Sequence, residues 1–401
     1  MERKIVGIIA EYNPLHNGHK YQLSYAKDFL HADYCVVAMS GNFVQRGTPA
    51  IIDKNSRARM AIAEGADVVF EIPSCFATGS LDDFSLGAVS LLDSLGIISH
   101  LLFGSEMGSI EKISCISKAM MTNESTYCFF RRAMKTGISD EDLQRIELSA
   151  MWNSSFRLDC AEAITQPNNI LGILYLNSLS RIQSPMIPVT NPRIGQGYLD
   201  DREANMHIDN YMASATAIRK RIMEGGDSAI SSIRKYIPTK CYSILEETLQ
   251  EQRPLSENDF WKPLCDALAL VSGSLDEYRL ITPAIAQKIS EGWKKCNSWN
   301  SLVSYVANDM YSSARISRCL IHILLGIKEK TVEKLLEEKK HHYVNVLAFS
   351  EKGENLLTEV CNRGKISVLH NNDITGLSPE AMMLLQIDHV ADQIYAKCKR
   401  Q

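Results

Sequence analysis

The 401-residue chain carries 43 lysines and arginines against 47 aspartates and glutamates, for a net charge of −4. Apolar residues make up 45% and charged residues 22%, which suits a globular protein with its own core and excludes a disordered chain. An acidic balance also excludes a molecule that is basic all over, so any nucleic-acid contact must come from a local patch.

The length suits two or three domains on a scale of roughly 100–200 residues each. No run approaches the roughly 18 apolar residues of a membrane span. The short apolar run after the initial charges reads as a strand rather than a signal segment. A cytoplasmic protein with no membrane partner is expected. Eleven cysteines stand singly with no C-x2-C pair, so no metal ligand set is expected and they read as small buried hydrophobes.

In chain order, Ile5–Ala10 is a continuous apolar run, as in a strand buried on both faces of a parallel sheet. A helical period follows from Gly18 to Leu30, then a strand over Tyr34–Met39 and a polar loop, SGNFVQRGTP. Asn55–Glu64 reads as helix, Asp67–Ile72 as strand, Leu86–Leu95 as helix and His100–Phe103 as a fourth strand. This alternation predicts an α/β fold with a Rossmann-like, doubly wound parallel sheet. The chain reads as helical from Ser109 to Cys160 and from Asn169 to Leu179, and as extended over Pro185–Thr190.

The polar, Gly-rich stretch that follows looks like a loop able to close over a ligand. Ser214, Ala215 and Thr216 then open a helix that stops at Gly225-Gly226. Beyond Gly226 helical patterns dominate, with one extended piece at Tyr343–Phe349. The expected division is a catalytic domain over residues 1–225 and a mainly helical C-terminal domain over 226–401.

The most informative segment is EYNPLHNGHKYQL, which sets His16-Asn17-Gly18-His19 between the first strand and the first helix. A helix N-terminus offers unsatisfied N–H groups and partial positive charge, a ready site for phosphate. Gly18 lets a ligand approach the backbone. Two imidazoles three residues apart share one face of the turn, where both can donate to a phosphate that gains charge during in-line displacement. Incidental histidines at a helix start, or a two-histidine metal site, are the alternative readings.

In this placement the H-x-G-H motif resembles the nucleotidyltransferase superfamily. The blocks VGIIAEYNPLHNGH, MSGNFVQRG, FGSE, QPNNILG, PRIG and SATAIRK are more closely similar to the bacterial tRNA(Met) cytidine acetate ligases, in the same order over about the first 220 residues. The resemblance implies a nucleotidyltransferase-type sheet and a ligase that converts ATP to AMP and pyrophosphate. Acetate would become acetyl-adenylate, and its acetyl group would pass to N4 of the wobble cytidine of elongator tRNA(Met).

By the same resemblance, His16 and His19 are catalytic. The ATP-binding set runs through Gly7, Ile8, Ile9, Ala10, Glu11, Tyr12, Asn13, Pro14, Leu15, His16, Asn17, Gly18, His19 and Lys20. It continues with Gly104, Asn168, Arg193, Ile194, Ser214, Thr216 and Arg219. Mg²⁺ is expected with the ATP phosphates.

Arg315 and Arg318, three apart on one helix, are the candidate tRNA contacts, although Asn308-Asp309 stands where relatives are more basic. The Arg219, Lys220 and Arg221 helix is a second basic patch. Lys339-Lys340-His341-His342 reads as a solvated helix end.

Bland roles remain open for several of these residues. Ser214 and Thr216 suit a helix cap, Asn168 and Gly104 suit turns, and Asp83 suits a surface carboxylate. Gln45-Arg46-Gly47 could face acetate, phosphate or RNA. Two other functions compete: a small-molecule adenylyltransferase on the same site, and a non-catalytic RNA-binding protein.

Overall fold

The computed structural model describes residues 3–122, 166–192, 212–225, 229–271, 273–338, 341, 343–363, 366–369 and 377–399. Strand β1 (Ile5–Ala10) pairs in parallel with β2 (Tyr34–Ser40), and β2 with β5 (Val68–Ile72), while the short β3 (Phe43–Val44) and β4 (Thr48–Pro49) pair antiparallel with each other. On its other side β1 pairs with β6 (His100–Ser105), and β6 with β7 (Ile187–Pro192), again in parallel. The chain thus grows outward from β1 in one direction and returns to grow in the other. This is the doubly wound order expected, with its switch point between β1 and β6.

The strands hold because both faces of the sheet are covered. Val36 and Ala38 pack into one core while Cys35, Val37 and Met39 pack into the other. The first core includes α3 (Ser74–Ala77), α4 (Leu81–Ser94), α5 (Ile110–Thr122) and α6 (Pro167–Ile182). The second lies against α1 (Asn17–Ser24), α2 (Lys54–Ala63) and α7 (Ala215–Glu224). Gly7 is needed where α4 crosses β1, because a Cβ there would lie 3.0 Å from both Leu92 and Ile98 side-chain carbons.

Several boundaries differ from the sequence expectation. Helix α1 ends in a single π-turn, Tyr25–Phe29. Helix α4 starts at Leu81 rather than Leu86, under a capping box of Ser80 and Asp83. Strand β6 runs through Gly104, which is therefore a ladder residue opposite Asn191 and not a tight turn.

Residues after Gly226 supply α8 (Ala229–Ile233), α9 (Thr239–Glu251), α10 (Trp261–Leu270), α11 (Pro283–Gly292) and α12 (Trp299–Val306). They continue with α13 (Ser313–Leu325) and α14 (Glu329–Glu338). The extended piece at Tyr343–Phe349 is a strand, β8, but it belongs to the main sheet. It pairs antiparallel with β5 and parallel with β9 (Ser367–Leu369), giving the order β7-β6-β1-β2-β5-β8-β9. The sheet therefore crosses the boundary drawn near Gly226. Helix α15 (Glu351–Arg363) lies between these strands in sequence, and α16 (Pro379–Lys399) closes the chain.

Helix α16 docks through buried polar groups. Lys54 Nζ sits 2.8 Å from both Glu71 oxygens and 2.6 Å from Asp392. Asp388 accepts from the Ser74 N–H at 2.7 Å and from the Tyr343 hydroxyl. Of the described cysteines, none of them bonded, Cys35, Cys75, Cys241, Cys319 and Cys398 are buried as expected, whereas Cys115 and Cys361 are exposed.

Candidate active site at the carboxyl edge of the sheet

The turn after β1 leads straight into α1 at the carboxyl edge of the sheet, beside the switch point where doubly wound sheets bind ligands. His16 is the N-cap of α1. Its Nδ1 accepts from the Gly18 N–H at 3.1 Å, while its own N–H donates to His19 Nδ1 at 3.3 Å. The two histidines thus replace the Ser and Glu of an ordinary capping box.

This arrangement fixes the tautomers. Each Nδ1 accepts a backbone proton, so each neutral ring carries its own proton on Nε2. The rings stack with centroids 3.8 Å apart at 24°, and Tyr12 meets the His19 ring edge-on at 5.0 Å. Gly18 fits under this stack, since a Cβ would lie 3.0 Å from His16 Cε1. The result is a pair of aligned N–H donors at a helix N-terminus, suited to an anion that gains charge.

The rest of the turn is held from outside. Tyr12, at φ 48°, and Leu15 are fully buried, and Lys20 pairs with Glu64 at 3.5 Å. Asn13 Oδ1 accepts from the Ile51 N–H at 2.9 Å, and Glu11 Oε1 accepts from the Gln45 N–H at 2.9 Å. Arg57, wholly buried, donates to the carbonyls of Glu11, Ser40, Gly41 and Ile52. It ties together the chain leaving β1 and β2. In the sequence it is an ordinary helical arginine with no signal to mark it.

Helix α7 meets the same turn. Ser214 caps it by accepting from the Ala217 N–H at 3.2 Å. Arg219 donates to the Asn13 carbonyl at 2.8 Å and to the Thr216 hydroxyl at 3.1 Å. Burial pushes the Arg219 guanidinium below its usual range. Arg219, with the Thr216 hydroxyl it holds, is thereby brought against the histidine turn from 206 residues along the chain.

On the β6 side, Gly104 is half-buried. Glu106 follows it, accepts from the Asn169 N–H at 2.9 Å and bonds the Asn168 side chain. Asn168 is therefore placed by a carboxylate at the start of α6. Glu106 stood within FGSE but was not singled out by sequence reasoning. Arg193 and Ile194, with the Gly-rich loop, lie outside the described residues.

Arg315 and Arg318 do not form a solvated face. They are only 9% and 7% exposed, on a helix buried from Arg315 through Leu325. Both line a cavity of about 630 Å³ with Asp83, Arg181, Arg279 and Glu329 among its walls. The Gln45–Gly47 loop separates Arg318 from the histidine turn. Gln45 accepts from Arg318 at 3.5 Å through its carbonyl, and a Cβ on Gly47 (φ +73°) would lie 2.3 Å from the Arg318 nitrogen. Arg318 Nε has no partner among the described residues, and burial pushes the guanidinium down to about 10.

Two other expectations are corrected. Asp83 is no surface carboxylate: it is buried and pairs with Arg279 at 2.7 Å. His341 is not a solvated helix end, since its ring is buried with Nε2 at 2.7 Å from the Gly87 carbonyl. Lys339, Lys340 and His342 lie outside the described residues.

Comparison with known proteins agrees with this geometry. The family model for HIGH Nucleotidyl Transferase matches residues 3–401. A tRNA(Met) cytidine acetate ligase of Caldanaerobacter subterraneus is 36% identical over 91% of this chain and 88% of that protein. One of Acetivibrio thermocellus is 30% identical over 98% and 95%. The crystal structure of Thermotoga maritima TmcAL bound with alpha-thio ATP superposes with a TM-score of 0.85 at 25% identity, covering 99% of this chain and 95% of that one. The chain belongs to the HIGH nucleotidyl transferases and, among them, to the tRNA(Met) cytidine acetate ligase family.

Proposed function

We propose that this chain carries out the ligase reaction named for its relatives. Acetate attacks the α-phosphorus of ATP, forming an acyl–phosphate bond as pyrophosphate departs. The N4 amine of the wobble cytidine of elongator tRNA(Met) then attacks the acetyl carbonyl. AMP leaves, and the amine loses a proton to give N4-acetylcytidine.

The observation that carries this reading is the histidine pair, whose Nδ1 atoms are both occupied by backbone N–H groups so that Nε2–H is the donor on each ring. Such donors stabilise charge on a pentacoordinate α-phosphate without reorganising. Residues 7–20, Gly104 and Asn168, with Arg193 and Ile194, would hold the nucleotide. Ser214, Thr216 and Arg219 would suit the departing pyrophosphate, since they offer two hydroxyls and a cation in the first turns of α7.

Mg²⁺ would travel with the phosphates. It retains waters and takes one or two protein ligands in such sites, which fits a crevice where no group of three His, Cys, Asp or Glu converges among the described residues. The reading keeps a catalytic unit over residues 1–225 and assigns RNA contact to the helical part. There Arg315 and Arg318 would act through the cavity they line. ATP, acetate and tRNA meet in the cytoplasm, which is where the enzyme would work.

The test is isotope exchange between labelled pyrophosphate and ATP with acetate present or omitted, followed by nucleoside analysis of tRNA incubated with both substrates. Acetate-dependent exchange and new N4-acetylcytidine are expected. Exchange that requires a mononucleotide acceptor instead would make the chain a small-molecule adenylyltransferase.

A further inference from the structure

In an acidic chain, the stretch from α7 to the start of α9 gathers Lys220, Arg221, Arg234, Lys235 and Lys240, all exposed. Lys220 faces Glu224 at 4.0 Å. Arg221 and Arg234 form no ion pair among the described residues. Their guanidiniums lie over tyrosine rings instead, Arg221 at 4.9 Å from the Tyr236 centroid and Arg234 at 5.4 Å from that of Tyr242. Lys235 also lies 5.1 Å from the Tyr236 ring.

An aromatic ring orients a cation without cancelling its charge. Of the nearby carboxylates, Glu64 pairs with Lys20, and Glu246 accepts from the Tyr242 hydroxyl at 3.4 Å but makes no ion pair with Arg234.

The patch adjoins the histidine turn. Asn17, inside the H-x-G-H motif, donates through Nδ2 to the Lys235 carbonyl at 2.9 Å. Arg219, on the same helix as Arg221, bonds Asn13. A polynucleotide that delivers one base amine to the crevice must run its backbone over the rim. Pre-oriented, uncompensated guanidiniums are suited to phosphodiesters there.

We propose that Arg221 and Arg234, with Lys235, form a docking surface for the RNA phosphates that flank the reacting nucleotide. This rests on the tRNA reading above and adds a surface to it. Such contacts release counterions, so each adds to the salt dependence of binding.

The test uses the full-length double variant Arg221→Gln/Arg234→Gln, beside Lys294→Gln/Lys295→Gln as a remote control with the same charge change. Binding of bulk tRNA is measured by filter retention across a salt series, and acetate-dependent ATP–pyrophosphate exchange is measured without tRNA. The expected result for the double variant is binding weaker by about tenfold, with a log–log salt slope shallower by roughly one to two. Its exchange should stay normal, and the control should bind like wild type.

Wild-type affinity and slope in the double variant would overturn the proposal. So would a defect confined to ATP exchange, which would assign the patch to the nucleotide. If the wild-type protein makes no acetyl-adenylate, the ligase reading fails by itself. If wild type acetylates tRNA and the double variant does so equally at low salt and subsaturating tRNA, only the docking surface fails.

Discussion

The histidine turn and the arginine cavity are both polar sites, but they lie against the two different cores of the sheet and are assembled differently. The turn comes from one contiguous stretch, residues 7–20, in which His16 and His19 cap their own helix and orient each other. The cavity draws on α4, α6, α13, α14 and the segment around Arg279. Its charges are fixed by partners distant in sequence, such as Asp83 with Arg279. A local motif carries its geometry with it, whereas a cavity of this kind exists only once the fold is complete. Mutations should therefore separate chemistry from folding at the turn and join them at the cavity.

The largest effect is expected at the cavity. Arg279→Ala leaves Asp83 buried without its partner, with a cost of about 3–5 kcal/mol, read as a loss of stability in urea titration. Next is His19→Ala, which removes one donor to the developing charge. It should slow acetate-dependent pyrophosphate exchange by about a hundredfold or more, with the unfolding midpoint close to wild type. If both variants lose stability equally, the contrast between the two regions breaks.

Gly47→Ala sharpens the contrast at the contact between them. A Cβ there meets Arg318 backbone at 2.3 Å in a left-handed conformation. A cost of about 1–3 kcal/mol is expected, with some loss of activity because the loop also holds Glu11.

A pH-dependent test, whose effect at any single pH step is small, concerns α16. Burial, with the Glu71 charge behind it, pushes Asp388 up to about 7. The folded state then holds a proton that the unfolded chain releases near pH 4. Stability from this group is full below about pH 4 and declines as pH rises towards 7. Asp388→Asn should flatten that decline by at most about 1.4 kcal/mol per pH unit, measured as urea midpoints across pH. An unchanged pH profile would show that the carboxyl group does not hold its proton there.

The legibility of the sequence follows the same division. The run Ile5–Ala10, the strand from Tyr34 and the H-x-G-H turn were readable because their periodicity and capping are local. Strand β8 was readable as an extended piece, but its pairing with β5 across nearly 280 residues was not. Arg57, Glu106 and Asp83 each resemble surface residues in sequence. They became structural only through partners brought by tertiary packing. Arg315 and Arg318 were singled out as a basic helical face. Gly47 packs against the Arg318 backbone, and Arg315 lies against the Leu280 carbonyl and the Tyr311 ring, contacts that no helical period encodes.

The central claim is that a carboxylate oxygen attacks the α-phosphorus of ATP at the histidine turn. The direct measurement is a reaction with acetate labelled with ¹⁸O in both oxygens, followed by mass spectrometry of the AMP released when the acetyl group passes to tRNA. The account predicts one labelled oxygen in the AMP phosphate and none in pyrophosphate. Unlabelled AMP, or label in the γ-phosphate, would contradict it by placing the attack elsewhere.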